Sequence, residues 1–283
     1  MSSINKVAVI GAGQMGAGIA LVIAIKGYNV ILNDISQDFI LNGLEKNKQW
    51  LNRQVEKNKM TQEEVNDIIA RMKGEIDLPT AVQDVDLVIE AIIENMEIKN
   101  KTWKIIGSNA PDHAIFGSNT SSLSITEMAK ASDRPTEFLG IHFFNPPVIM
   151  NIIEFIKGYD TSESTLEKAI SFGKSLDMNT VIANESPGFI VNRLLIPQLN
   201  EAYYALQEGV ATVEDIDIAM KIGLNHPMGP LKLSDFIGLD TILFIAEYLH
   251  QELGEKFRPC PLLKKMVKSG KLGVKTGEGF YKY

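Results

Sequence analysis

The sequence predicts an α/β protein: a doubly wound sheet with an inserted helical hairpin, followed by an all-α C-terminal domain. Three observations carry this. Apolar, strand-like runs alternate with helical stretches from Lys6 to Ala183, the pattern of a mostly parallel sheet covered on both faces. Gly11-Ala12-Gly13-Gln14-Met15-Gly16 stands between the first such run and the first helix, as in a Rossmann-type unit. Beyond Pro187 the apolar residues repeat almost entirely with helical spacing.

The first strand is Lys6 to Ile10, and the G-x-G-x-x-G after it opens a helical segment from Gln14 to Lys26. Gly11 permits a tight turn and Gly13 lets a pyrophosphate approach the backbone. Gly16 lets helix and strand pack closely, while the helix start offers N–H groups and a favourable dipole to phosphate. A second strand, Asn29 to Asn33, ends in Asp34, where a carboxylate accepts hydrogen bonds from the ribose hydroxyls of an adenosine. No arginine follows in Ile35-Ser36-Gln37 to receive a 2′-phosphate, which favours NAD over NADP.

A short crossover does not follow. A long helix, about Ser36 to Lys57, meets Asn58-Lys59-Met60, and a second opens at Thr61 with Glu64 completing a capping box and runs to about Met72. This is the inserted hairpin. Arg53 and Lys57 are four residues apart and share a helix face, with Lys59 just beyond. Such a face is either a solvated stripe or a place for a second phosphorylated ligand.

The alternation then resumes. Asp86 to Ala91 reads as a buried parallel strand, followed by a helix from Met96 to Ser108. Ala114 to Ser118 is the next strand, ending in Asn119-Thr120-Ser121-Ser122. Ligands of such sheets sit beyond the C-terminal ends of the strands, where Ser121, Ser122, Glu94 and Lys99 all fall. The serines also fit a plain helix start, since Ser124 and Glu127 have capping-box spacing.

Two further runs, Glu137 to Phe144 and Ile152 to Ile156, flank Pro146-Pro147. A double proline cannot continue a ladder, so the chain turns there and the runs pair antiparallel. A simple hairpin puts His142 opposite Glu154. A carboxylate beside a histidine fixes its tautomer and makes a proton donor usable near neutral pH; the same pairing occurs in half-buried structural ion pairs.

After a strand-like Thr180 to Ala183 the character changes, and a boundary is expected near Asn184. Residues 1–184 would be the nucleotide-binding domain and residues 185–283 the helical one, with helices over Phe189 to Leu206, Val213 to Ile222 and Asp235 to Leu253. Pro187 suits a first helical position, and Gly209, Gly223 and Gly254 suit helix stops. These helices are rich enough in apolar residues to imply either a surface buried against another subunit or a self-contained bundle.

The composition limits function. The chain has 283 residues, long enough for two cores, and a net charge of −7 argues against nucleic acid or an anionic membrane as partner. The one cysteine, Cys260, excludes a disulfide framework and a zinc motif, and no metal is expected. No run approaches the about 20 apolar residues of a membrane span. The first strand begins almost at Met1, leaving no room for a targeting peptide, so a cytoplasmic protein is expected.

Seven motifs in order resemble the 3-hydroxyacyl-CoA dehydrogenase family, particularly its bacterial 3-hydroxybutyryl-CoA members, over essentially the whole chain. They are the glycine loop 11–16, Glu90-Ala91-Ile92-Ile93-Glu94-Asn95, Ser118-Asn119-Thr120-Ser121-Ser122-Leu123, and His142-Phe143-Phe144-Asn145-Pro146. Pro187-Gly188-Phe189-Ile190-Val191-Asn192-Arg193, His226-Pro227-Met228-Gly229-Pro230 and Lys275-Thr276-Gly277-Glu278-Gly279-Phe280-Tyr281 complete the set. The resemblance implies NAD-dependent interconversion of (S)-3-hydroxyacyl-CoA and 3-oxoacyl-CoA, with short acyl chains; the apolar helices add the expectation of a homodimer through the helical domain, or a higher oligomer. It implies His142 as the catalytic histidine and Glu154 as its carboxylate, with Ser121 and Asn192 hydrogen-bonding the substrate. Gly11, Gly13, Gln14, Met15, Gly16, Asp34, Glu94, Lys99, Asn119, Ser121 and Asn145 would serve the cofactor, and Arg53 and Lys57 of the hairpin would face coenzyme A. Asn151 departs from the lysine that many relatives carry there, which touches acyl preference and leaves the proton and hydride chemistry in place.

Overall fold

Strands β1 (Lys6–Ile10), β2 (Asn29–Asn33), β3 (Met72–Glu75), β4 (Leu87–Glu90), β5 (Ile115–Ser118), β6 (Phe138–Phe143), β7 (Ile152–Lys157) and β8 (Asn179–Asn184) form one sheet in the order β3-β2-β1-β4-β5-β6-β7-β8. The computed structural model describes residues 4–283, and the chain divides into two units between Ser186 and Pro187. Every strand pair is parallel except β6 with β7. Side chains of β4, β5 and β6 are buried throughout, as expected of strands covered on both faces.

Helices α1 (Gln14–Ile25), α2 (Gln37–Glu56), α3 (Gln62–Arg71), α4 (Leu78–Val82), α5 (Met96–Asn109), α6 (Ile125–Ala131) and α7 (Glu163–Ser175) cover the sheet. Trp103 of α5 is fully buried against Phe116 and Phe138, with ring centroids 5.6 and 4.5 Å away. The hairpin is α2 with α3, and Thr61 and Glu64 cap α3 reciprocally. Ser124 caps α6 by accepting from Glu127 N; the Glu127 carboxylate instead takes Asn100 Nδ2 at 2.8 Å.

Some elements depart from the expectation. The residues assigned to the end of the second hairpin helix leave it at Arg71, and Met72 begins the edge strand β3. Only Met72 of its four residues is buried, so it shows no apolar run. Helix α7 was not foreseen; it carries the crossover that lets β8 lie parallel to β7.

The second unit holds α8 (Val191–Gln207), α9 (Val213–Gly223), α10 (Pro230–Ile237), α11 (Leu239–Leu253) and α12 (Pro261–Lys268) around a core of its own. Pro187 is not a first helical position: Gly188 and Phe189 both have positive φ, and α8 begins only at Val191. The helix expected over Asp235 to Leu253 is two, broken at Gly238 with φ 100°. Gly223 stays inside α9, and Asn225, φ 54°, takes the left-handed turn after it. Gly209 and Gly254 do stand at helix ends with positive φ.

Two acids tie the C-terminal segment to this unit. Asp217 accepts from Leu231 N, Lys232 N and the Tyr281 hydroxyl at 2.8–2.9 Å. Asp235 accepts from Phe280 N and Tyr281 N at 2.9 Å and from the Tyr283 hydroxyl at 3.2 Å. Burial, with Asp235 beside it, pushes Tyr283 up to about 12. Cys260 is buried, and that burial pushes its thiol up, as suits a structural residue rather than a nucleophile.

The start of β1 is held in the same manner. Asp86 accepts from Asn5 N at 2.7 Å, Lys6 N at 3.0 Å and lies 3.1 Å from His113 Nε2. Burial pushes this carboxyl up, but the two N–H donors and His113 more than offset it, so it titrates below its ordinary 3.8. A depressed carboxylate stabilises above its unfolded pKa and loses that contribution as pH falls through the folded value. Asp86→Asn is therefore expected to lower the thermal midpoint at pH 7 by a few degrees. Wild type and variant should converge in acid, below 3.8, when melting curves are compared across pH.

Candidate active site

Four loops meet at one edge of the sheet because the strands feeding them are parallel. Gly11 N donates to Asn33 O (2.8 Å), Ala91 N to Ile10 O (2.7 Å) and Asn119 N to Glu90 O (2.7 Å), so the ends of β1, β2, β4 and β5 are stitched side by side. β6 runs parallel to β5 and delivers His142 to the same edge.

The glycine loop is built as a cradle. Gly11 has φ 104°, and a Cβ there would lie 2.5 Å from Ala91 O. A Cβ on Gly16 would lie 1.8 Å from Gly11 O, so only glycine lets α1 press on the loop. Around Gly13 there is open space. Helix α1 has no side-chain cap and no acid in its first turn, which leaves first-turn N–H groups for an anion. Asp34 Oδ2 accepts from Ala12 N at 2.7 Å, while Oδ1 makes no hydrogen bond among the described residues. Amides for a pyrophosphate and a carboxylate for a ribose fit a bound dinucleotide. Gln14 Nε2 donates to Asn145 Oδ1 at 3.0 Å, and Pro147 packs against Gly18. The helix that opens the cradle thus touches the turn after His142. Met15, half-buried, packs against the core beneath.

His142 and Glu154 are register partners across β6 and β7. Nδ1 of His142 lies 2.7 Å from Glu154 Oε2; the carboxylate is fully buried and the imidazole 8% exposed. A buried carboxylate on Nδ1 selects the tautomer protonated there and leaves Nε2 as the nitrogen that exchanges a proton. The strand end is fixed from the other side by Asn119, whose Oδ1 accepts from Phe143 N at 2.8 Å.

Ser121 is held by Glu94. Oε1 of Glu94 accepts from Ser121 N and Thr120 Oγ1 at 2.8 Å each, and from Ser121 Oγ at 3.3 Å. Lys99 is buried, its ammonium between Glu90 and Glu94. Glu90, which opens the second motif, has no role in the sequence reading, although a glutamate closing an apolar strand signals a buried charge that needs a partner.

The chain matches the family model for the 3-hydroxyacyl-CoA dehydrogenase NAD binding domain over residues 6–186 and that for the C-terminal domain over residues 188–283. This chain belongs to the 3-hydroxyacyl-CoA dehydrogenase family. It is 49% identical to a probable 3-hydroxybutyryl-CoA dehydrogenase of Deinococcus radiodurans, over 98% of this chain and 100% of that one. It is 48% identical to a 3-hydroxybutyryl-CoA dehydrogenase of Bradyrhizobium diazoefficiens, over 99% of this chain and 96% of that one. The crystal structure of (S)-3-hydroxybutyryl-CoA dehydrogenase PaaH1 from Ralstonia eutropha superposes with a TM-score of 0.95 at 42% identity, over 99% of both chains.

The dehydrogenase edge of the first unit thus gathers Gly11, Gly13, Gln14, Gly16, Asp34, Glu94, Asn119, Ser121, His142, Asn145 and Glu154 through contacts made by adjoining strand ends. Asn192 lies in the second unit, in the first turn of α8. Arg53 and Lys57 are exposed at the end of α2 and form no ion pair among the described residues. Asn151 is exposed, and its carbonyl anchors the start of β8 through Asn179 N and Nδ2. The Gln14–Asn145 and Asn119–Phe143 links were not legible beforehand, because they join loops far apart in sequence.

Gly11→Ala is expected to weaken NADH binding, measured by fluorescence titration, and to destabilise the fold by about 1–3 kcal/mol, since it forces both a positive φ and a clash with Ala91 O. Unchanged affinity would mean that the loop does not hold the cofactor.

Proposed function

We propose that this dehydrogenase interconverts (S)-3-hydroxyacyl-CoA and 3-oxoacyl-CoA, with His142 as the group that gives and takes the proton at the 3-oxygen. The observation that carries it is the buried His142–Glu154 pair, 2.7 Å apart, at the sheet edge that also bears the glycine cradle. Family membership supplies the reaction class and NAD as cofactor. Relatives named 3-hydroxybutyryl-CoA dehydrogenase support short acyl chains.

NAD, when bound, supplies the acceptor or donor of a hydride at C3 of the substrate. The chain's own residues do the rest. In reduction, protonated His142 donates from Nε2 to the 3-oxygen as negative charge develops there; in oxidation, neutral His142 takes the hydroxyl proton through the same nitrogen. Glu154, fixed on Nδ1, keeps the ring aimed and matches the imidazolium charge. Ser121 and Asn192 hydrogen-bond the substrate near its reacting oxygen and thioester. Asp34 takes the adenosine ribose and selects NAD over NADP. Asn145 and Gln14 hold the cofactor side of the cleft, and Arg53 and Lys57 of the hairpin offer cations to coenzyme A phosphates.

Residues 1–184 serve the cofactor and residues 185–283 the substrate and a second copy of the chain. Leu194, Val210 and Ile222 in the second unit are each at least 70% exposed, apolar side chains that a second copy would cover in this reading. The protein works as a cytoplasmic homodimer in this reading; no helix among the described residues is long and apolar enough to cross a membrane.

NADH oxidation with acetoacetyl-CoA tests the reaction. Rapid turnover with NADH, weak turnover with NADPH and a loss of about 10²–10⁴ in kcat for His142→Ala are expected. Tight NADH binding without turnover would sink the thioester reading and turn the search to free hydroxy acids. Sedimentation equilibrium should give twice the chain mass, and Ile222→Asp should shift it toward the monomer if this apolar surface forms the interface.

A further inference from the structure

Linked to the Ser121 turn is a chain of charges, Glu90 and Lys99 buried and Glu94 half-buried, to which the proposed proton transfer assigns no part. Glu90, at the end of β4, has no exposed surface, and both its oxygens are occupied. Oε1 accepts from Lys99 Nζ at 2.5 Å and from Ile92 N at 2.9 Å, while Oε2 accepts from Ser118 Oγ at 2.8 Å. Lys99, 1% exposed, reaches on to Glu94 Oε2 at 3.1 Å, an ion pair outside hydrogen-bond alignment. The other oxygen of Glu94 grips Thr120 and Ser121.

Stability does not account for this arrangement. Taking a carboxylate and an ammonium out of water costs about several kcal/mol per ion, and apolar residues of similar volume commonly hold a fold as well or better. What the charges do provide is position. The turn from Ser118 to Ser121 is fixed residue by residue: Ser118 by the Glu90 carboxylate, Asn119 N by the Glu90 carbonyl, Thr120 and Ser121 by Glu94. Glu94 in turn is half-buried and, among the described residues, has one cation, Lys99, to hold it.

We propose that Glu90 is a positioning residue of the dehydrogenase reaction, acting through Lys99 on Glu94 and through Glu94 on the backbone and hydroxyl of Ser121. This rests on the reading of Ser121 as a substrate contact. Glu90 touches neither substrate nor cofactor; it holds the ammonium that holds the carboxylate that aims the serine. Without it, Lys99 is left with Glu94 alone and is drawn toward it, and the Ser121 turn loses its reference to the end of β4. Without both charges, Glu94 is free to turn to solvent.

The test uses the full chain with acetoacetyl-CoA and NADH, and compares Glu90→Gln, Glu90→Gln/Lys99→Met and Ser121→Ala, alone and combined. Thermal midpoints and NADH affinity are measured alongside. Glu90→Gln alone is expected to lower both the midpoint and kcat. The neutral pair should regain the midpoint, because no uncompensated charge remains buried. Its kcat, measured at saturating NADH, should stay down by about tenfold or more whatever the change in NADH affinity, since a misplaced substrate contact is the cause. In the Ser121→Ala background the same pair change should cost less than about twofold, the mark of residues acting through one another. Recovery of kcat together with the midpoint would overturn the proposal, as would losses that multiply with that of Ser121→Ala. Should the neutral pair not fold, Glu90→Gln with and without Ser121→Ala decides by the same comparison. Full kcat in Ser121→Ala alone would remove the reading of Ser121 instead, and this inference with it.

Discussion

The site depends on the dual pairing of β6. Parallel to β5, it ends at the edge where the glycine cradle and the Ser121 turn lie; antiparallel to β7, it meets a strand returning from that edge with Glu154 opposite His142. Side chains alternate along a strand with period two, so a slip of one residue in the β6–β7 register would turn Glu154 to the opposite face and leave a fully buried carboxylate unpaired. The register is therefore enforced by the buried His142–Glu154 pair itself. The Asn119–Phe143 bond and the Gln14–Asn145 bond then fasten the histidine's strand end to two other loops. Each of these loops is placed by its own parallel strand.

Acids hold this molecule together in places where the sequence looks merely apolar. Asp86 gathers the N–H groups at the start of β1, Asp217 those at the start of α10, Asp235 those of the C-terminal segment. Glu185, just before the boundary between the units, takes Ser124 Oγ at 2.7 Å and the N–H and hydroxyl of Thr126. Backbone donors at the ends of elements must be satisfied when they are not in water. A carboxylate satisfies two or three at once through charge-assisted bonds, which are roughly twice as strong as neutral ones. The Ser121 turn is consequently gripped upstream by Glu94 and downstream, past Ser124, by Glu185.

Much of this was legible. Strand, glycines, helix, strand and Asp34 come in an order that local physics dictates, and the proline break at Pro146-Pro147 is enough to derive the His142–Glu154 pairing. Local signals also placed the hairpin, because capping at Thr61 and the long amphipathic run of α2 are properties of contiguous sequence. What was hidden depends on distant residues. β3 is an edge strand whose only credential is pairing with β2, and the break at Gly238 is a positive φ that a helical apolar pattern runs straight through. The two acids that hold Lys99 are equally hidden, since its pairing with Glu90 and Glu94 depends on how the helix after β4 packs on the sheet.

A net charge of −7 sits awkwardly with polyanionic ligands, and the structure answers this by keeping the anion contacts local and largely uncharged. Helices α3, α5, α6, α7 and α9 start with a side-chain cap and an acid in the first turn, whereas α1 has neither. At the capped starts a residue of the chain already occupies the end amides. At α1 they are left over, and the helix dipole works without a competing carboxylate. The acid that the cradle does admit, Asp34, is turned to Ala12 N by one oxygen, set where a ribose rather than a phosphate would lie. Phosphate binding by neutral amides also depends less on bulk charge and salt than binding by surface lysines would. That division lets an acidic chain carry a site for a dinucleotide. Arg53 and Lys57, by contrast, are exposed at the end of α2 and form no ion pair among the described residues, so any anion they meet would be felt through salt-sensitive charge.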